Sequence, residues 1–279
     1  MNKVIVITGQ TACGKSKYAI DLAKKNNGVI INSDAMQVYK ETSILSSCPI
    51  NYDGIPHKLY GIIHGSEEFS VKHWINLVTL EIEKAISQNL IPIIVGGSPM
   101  YNRILVDGIN DIPDIPEEIR SLRLNNAQIY EELIKIDPLS KNIDKNNTHR
   151  ILRAYQVFLA TGKSIYDFHS NTKISPLAKY DLEKIIIKIP KEQLYKNCQI
   201  RFQGMIEKGA INEVKQLYEK KYPENLNIFK TIGVREIKSY LDGAIPIEKA
   251  IELSVTHTKQ YAKKQATWFN NKFLDFKIS

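Results

Sequence analysis

Eight consecutive residues, Gly9-Gln10-Thr11-Ala12-Cys13-Gly14-Lys15-Ser16, fit the pattern G-x-x-x-x-G-K-[ST] in full. Glycines at both ends let backbone N–H groups curl around a phosphate, and a helix starting at the loop's end adds partial positive charge. Lys15 brings a point charge to a terminal phosphate, and the Ser16 hydroxyl can ligate Mg²⁺. A second Gly-Lys-Ser, at Thr161-Gly162-Lys163-Ser164, has Val157 where the first glycine belongs. It follows a helical run, so it reads as a helix C-terminus capped by Gly162.

The phosphate loop does not say what is done with the phosphate. Triphosphate hydrolysis usually adds an Asp at the end of an apolar strand. Here the apolar strand 91–95 ends in Gly96-Gly97-Ser98, and the acid follows strand 29–31, as Asp34. The loop by itself fits a kinase of a small metabolite, with Asp34 as its base, or an RNA-binding protein without catalysis.

The elements that must hold these residues follow from periodicity. Val4–Ile7 is a β-branched run that stops at Thr8-Gly9. Lys15–Lys25 is helical, with Ala19, Ile20, Leu22 and Ala23 apolar and Gly28 as the stop. Residues 72–88 repeat apolar positions at helical spacing, from Trp74 to Ile86. Strands alternating with helices, and uniformly apolar, predict an α/β fold: a P-loop NTPase-like core with a parallel sheet flanked by helices. After about residue 110 the pattern turns helical, without a convincing strand until Ile185–Ile189, and the remainder is mostly helical. This predicts a core of 1–113 and 178–279 interrupted by an all-helical insertion, 114–177.

The chain has 279 residues, a net charge of +8 and three widely spaced cysteines. The cysteines give neither a disulfide framework nor metal-ligand spacing, which suits a reducing cytoplasm. No apolar run approaches the ~20 residues that span a bilayer, and the N-terminus reads as a buried strand, so no membrane role is expected. The basic excess favours a polyanionic partner.

Eight segments in order resemble the tRNA dimethylallyltransferase (isopentenyltransferase) family: GQTACGKS, INSDAMQVYK, IPHKLYGII, IPIIVGGSPMYNRIL, THRILRAYQVFLATGKS, RFQGMIEKGAINEV, IFKTIGVREI and TKQYAKKQATWF. The resemblance runs nearly the whole length. It implies transfer of a dimethylallyl group from dimethylallyl diphosphate to N6 of the adenine 3′ of the tRNA anticodon, position 37. Diphosphate leaves, so residues 9–16 become a diphosphate-binding set with Lys15 and Mg²⁺ stabilising the departing charge. It also implies a monomer.

Roles carry over residue by residue. An adenine amino group is a poor nucleophile, so a base helps. Asp34 matches the family's base, the other readings being an Mg²⁺ ligand or a helix cap. Ser98 occupies the family's Thr position near the reacting nitrogen, and Arg201 matches an Arg beside the reaction centre. The target adenine must leave its stack, and Asp34, Ala35, Met36 and Gln37 are expected to meet it by hydrogen bonds. The helical insertion is expected to contact the anticodon stem-loop through Arg120, His149, Arg150, Ile151, Leu152 and Arg153. Arg150 and Arg153 share a helix face opposite Ile151, Ala154, Tyr155 and Phe158. Lys259, Lys263 and Lys264 form a basic strip, while Trp268 and Phe269 are expected in the core. Cys48 and Lys58 stand where the family carries Lys and His, and Cys13 where it carries Ser. No catalytic role is expected of Cys13.

Overall fold

The computed structural model describes residues 1–49, 54–120, 122, 126–169, 173 and 175–279. Two compact units emerge: Met1–Val106 with Pro176–Ser279, and Asp107–Ser175. Their limits differ by several residues from the expected 114–177 insertion.

The first unit is built on β1 (Lys3–Gly9), α1 (Lys15–Asn26), β2 (Gly28–Asn32), β3 (His57–Lys58), α2 (Val71–Ser87), β4 (Ile91–Gly96) and α3 (Pro99–Asp107). After the helical unit come β5 (Asp181–Ile187), α8 (Lys191–Glu207), α9 (Ala210–Glu219), α10 (Val234–Leu241), α11 (Ile247–Lys272) and β6 (Lys277–Ile278). Among the described residues the strands form one sheet in the order β3-β2-β4-β1-β5-β6. Every pairing is parallel. Both faces are buried, as parallel sheets require. Ile5, Ile7, Ile30, Ile93 and Val95 pack with Ala19 and Ala23 of α1 and Ala262 of α11, while Val4, Val6, Ile31 and Ile94 on the alternate positions are at most 0% exposed.

Two expectations are corrected. Gly28 is not the stop of α1: Asn27, left-handed at φ 50, caps the helix, and Gly28 opens β2. A Cβ at 28 would lie 2.7 Å from Ile93 Cδ1 and 3.0 Å from Ala23 Cα, so helix and strand approach too closely for a side chain. The last long strand is Asp181–Ile187 rather than 185–189. Its polar start pairs with β1, Lys3 beside Asp181, and Lys3 bridges to Glu183 at 2.7 Å.

The second unit holds α4 (Glu117–Arg120), α5 (Asn126–Ile136), α6 (Thr148–Thr161) and α7 (Ile165–His169). Residues 121, 123–125, 170–172 and 174, within the stretch read as helical, lie outside the described residues. The core here is Ile129, Leu133, Ile151, Ala154 and Tyr155. Gly162 caps α6 at φ 68, donating its N–H to Phe158 O, so the second Gly-Lys-Ser is a helix end. Ser164 then turns inward and donates to the buried Asp137 carboxylate at 2.8 Å.

Candidate active site

In a parallel sheet all carboxyl ends share one edge, and α/β ligand sites form there where the strand order reverses. That edge brings three sequence-distant segments together. Thr8 lies opposite Gly96 and Asn32 opposite Val95, so the phosphate loop after β1, Asp34 after β2 and Gly97-Ser98 after β4 are neighbours. Buried bonds fix the strand ends. Asn102 donates to Thr8 Oγ1 at 2.9 Å and to Gly96 O at 3.1 Å, and the Trp74 indole donates to Asn32 O at 3.0 Å.

The loop turns into α1 at Gly14, whose φ of 92 suits glycine. Lys15 folds back to donate to Gln10 O at 3.1 Å. Burial holds its ammonium below the ordinary lysine pKa, and the Asp34 charge opposes that shift. Cys13 is buried in the hydrophobic cluster beneath the loop. Ser16 is exposed and lines the cavity over the loop.

Asp34 is held by an Asx turn. Its N–H donates to Asn32 Oδ1 at 2.8 Å, and its Oδ1 accepts the Met36 N–H at 3.0 Å. A carbon at the missing Cβ position of Gly97 would lie 3.4 Å from both Asp34 Oδ2 and Lys15 Nζ. The free carboxylate oxygen and the ammonium therefore face one gap. Ser98 Oγ accepts the Ala35 N–H at 3.0 Å. The Gln37 amide donates to the carbonyls of Ser46 at 2.9 Å and Ser47 at 3.0 Å. The N–H groups of Asp34, Ala35 and Met36 and the Gln37 amide are thus engaged within the protein. What the segment presents to the cavities is Asp34 Oδ2 and the side chains of Ala35, Met36 and Gln37.

Arg201 comes from α8. Its Nε donates to Ser47 Oγ at 2.9 Å and its Nη1 to Thr11 Oγ1. Burial lowers its pKa while Asp34 opposes that. Two cavities meet at this group. One, of ≈ 360 Å³, covers the phosphate loop and is lined by Lys15, Ser16, Asn197 and Tyr60. The other, of ≈ 290 Å³, is more apolar, with Met36, Leu45, Phe202, Met205 and Ile232 on its walls. Thr11, Asp34, Ser46 and Arg201 line both. The carboxylate stands where a cationic chamber adjoins an apolar one.

The residues assigned to the helical insertion belong to the second unit. His149, Arg150 and Arg153 are exposed on α6, and Leu152 is half-buried. Partial burial, then the neighbouring Arg120 charge, lower the Arg153 pKa, so two guanidinium groups sit close together. Arg120 also donates to Ile115 O at 3.3 Å. Ile151 is 1% exposed in the core, so its side chain offers a ligand no surface.

The description of IPP transferases matches residues 37–272, and that of isopentenyl transferases matches residues 2–54. The chain belongs to the IPP transferase family. A tRNA dimethylallyltransferase of Ehrlichia ruminantium is 42% identical over 281 residues, spanning 98% of this chain and 93% of the relative. One of Rickettsia canadensis is 37% identical, spanning 98% and 87%. Among solved structures, a eukaryotic dimethylallyltransferase acting on tRNA superposes with a TM-score of 0.84 at 31% identity, covering 100% of this chain and 73% of that one. A tRNA isopentenylpyrophosphate transferase of Staphylococcus epidermidis gives a TM-score of 0.69 at 32% identity, covering 100% and 92%.

In this IPP transferase Gln265 belongs to the site although the sequence assigns it no role. From α11 it accepts the Thr11 N–H at 2.8 Å and donates to Gly97 O at 2.6 Å, stitching the phosphate loop to the end of β4. Gln10 reinforces the seam by donating to Ala262 O at 2.9 Å. Burial and the Asp34 charge raise the pKa of Tyr261, and the Ser98 and Gln265 side chains oppose this. The available signal was a glutamine on the apolar stripe Ala262, Gln265, Phe269, each at most 3% exposed. Trp268, expected in the core beside Phe269, is 45% exposed because it falls off the buried stripe, about 100° round the helix from Phe269. The Cys48 thiol donates to Gln37 O at 3.3 Å, and burial pushes its pKa up to about 11. Among the described residues no helix is long and apolar enough to cross a membrane.

Proposed function

We propose that this chain transfers the dimethylallyl group of dimethylallyl diphosphate to N6 of the adenosine at tRNA position 37, releasing diphosphate. The observation that carries the reading is the placement of Asp34 at the junction of the two cavities. The diphosphate occupies the cationic chamber, with Lys15 and Arg201 on its oxygens. The adenine, drawn from its stack, enters the apolar chamber. As the C–N bond forms, Asp34 Oδ2 takes the N6 proton, the C–O bond breaks, and the electron pair leaves with diphosphate. Pre-aimed cations are worth more here than in water, since the charge develops in a partly desolvated site.

Among the described residues no three His, Cys, Asp or Glu cluster to cage a metal. One serine hydroxyl in a cavity sized for phosphates suits Mg²⁺, which takes most of its ligands from substrate oxygens and water. Ser16 with the diphosphate would hold it, and it would neutralise charge on the leaving group. The helical unit contacts the anticodon stem-loop through Arg120, His149, Arg150 and Arg153. The Lys259, Lys263 and Lys264 strip tracks the RNA backbone. A monomer working in a reducing cytoplasm completes the proposal.

Incubation with unmodified tRNA, Mg²⁺ and dimethylallyl diphosphate, followed by nucleoside mass analysis, tests the reaction. The expected product is adenosine carrying one five-carbon isoprenyl unit. Phosphate transfer from ATP to a small molecule, with no prenylated nucleoside, would replace this reading with a kinase. Affinity for an anticodon stem-loop is expected to fall as salt rises. The log–log slope should flatten by roughly 0.7–0.9 per phosphate contact removed in a K263A/K264A variant. Anisotropy titrations that give a salt-independent affinity would contradict the RNA strip.

A further inference from the structure

The loop 43–48 borders both cavities through Ser46 and, over the phosphate loop, Ser47. Its first residues meet a half-buried carboxylate on α9. Glu213 Oε1 accepts the Ile44 N–H at 2.7 Å and the Ser43 hydroxyl at 3.3 Å, and Oε2 accepts the Leu45 N–H at 3.0 Å. We propose that Glu213 is a positioning residue for prenyl transfer: it fixes the 43–48 loop, and through that loop the guanidinium of Arg201.

The chain of contacts is continuous. Ser46 N–H donates to Thr42 O at 2.9 Å and Cys48 N–H to Ser43 O at 2.8 Å, so pinning 43–45 pins 46–48. Ser47 sits at φ 56, a left-handed conformation that a serine holds only where its surroundings enforce it. In that conformation its hydroxyl accepts from Arg201 Nε, while Ser46 O accepts from Nη2 at 3.5 Å. Glu213 itself lines neither cavity, so it acts on substrate only through the loop. Three donors converge on its two oxygens, and a carboxylate accepts all of them. A glutamine would turn an N–H₂ toward a backbone N–H. Burial raises the Glu213 pKa and the three hydrogen bonds oppose this.

The inference rests on Arg201 acting on the diphosphate, as proposed above. The test is steady-state kinetics of wild type and Glu213→Gln, each also in an Arg201→Lys background. Glu213→Gln is expected to raise KM for dimethylallyl diphosphate about tenfold, as loss of a charge-assisted bond does, and to leave KM for tRNA within about twofold. In the Arg201→Lys background the same change should add less than about twofold, because coupled sites are not additive. An equal factor in both backgrounds, or a loss of folded protein with KM unchanged, overturns the proposal. Should Glu213→Gln fail to fold, Ser43→Ala removes one donor without disturbing the carboxylate. A rise of about threefold in the same KM supports the proposal, and none overturns it. A wild-type protein that yields no prenylated tRNA overturns the reaction instead, so the two failures are distinct.

Discussion

Alanine at position 34 is expected to slow prenyl transfer by about 10²–10⁴-fold, the range that a positioned general base contributes, while tRNA affinity stays near wild type. The reason is geometric. Asp34 Oδ2 faces the gap it shares with Lys15 Nζ beside Gly97, and the residue lines both chambers. Asp34 also has a structural task, since its Oδ1 closes the turn to Met36 N–H at 3.0 Å. Asp34→Asn separates the two. Asparagine keeps an acceptor for Met36 but takes no proton at neutral pH, so single-turnover rates should fall as far for Asn as for Ala. Near-normal transfer by the asparagine variant would reduce Asp34 to a turn residue.

The parts of this site legible in the sequence are those encoded locally. A strand, two glycines and a helix define the phosphate loop within residues 3–26, and β-branched runs mark where β2 and β4 end. Parallel topology then forces those ends together, so Asp34 could be named as a neighbour of the loop before any contact was known, while Ser98 was named through the family resemblance. Gln265 was hidden for the opposite reason. Its partner Thr11 is 254 residues away, and nothing in the local pattern of α11 says which element its buried polar position will meet. Gln37 shows a subtler limit. Its segment reads as substrate-facing and it does line the cavity over the phosphate loop, but its amide N–H₂ also holds the carbonyls of Ser46 and Ser47, which no local pattern shows. Side-chain direction after a strand end depends on the loop that packs over it. Trp268 and Phe269 are adjacent in sequence and fall on different helix faces, so composition could not sort one from the other. Gly28 looked like a helix stop because glycines usually are. Here the approach of Ile93 and Ala23 required it.

Gly97→Ala is expected to lower kcat/KM by about 10²-fold, the cost of misplacing reacting groups by roughly an ångström. The backbone at 97 is not among the left-handed glycines, so alanine is conformationally allowed and the effect is steric. Its Cβ would come within 2.8 Å of Gln265 Nε2, closer than any real contact, but only 3.4 Å from Asp34 Oδ2 and Lys15 Nζ, which is ordinary packing. Gln265 must therefore move. It would release Gly97 O and Thr11 N–H together, and the phosphate loop would lose its tether to β4. Overpacking of this kind costs about 1–3 kcal/mol of stability, which calorimetry would read beside the rate. The double variant Gly97→Ala/Gln265→Ala decides between two routes to the loss. If displacement of Gln265 is the cause, the double variant should be no slower than Gln265→Ala. If the methyl instead fills the gap that the N6 proton crosses, the double variant should be slower than Gln265→Ala by about the factor that Gly97→Ala costs alone. The distances favour the first route, because the clash with the amide is 0.6 Å tighter than the approach to the carboxylate.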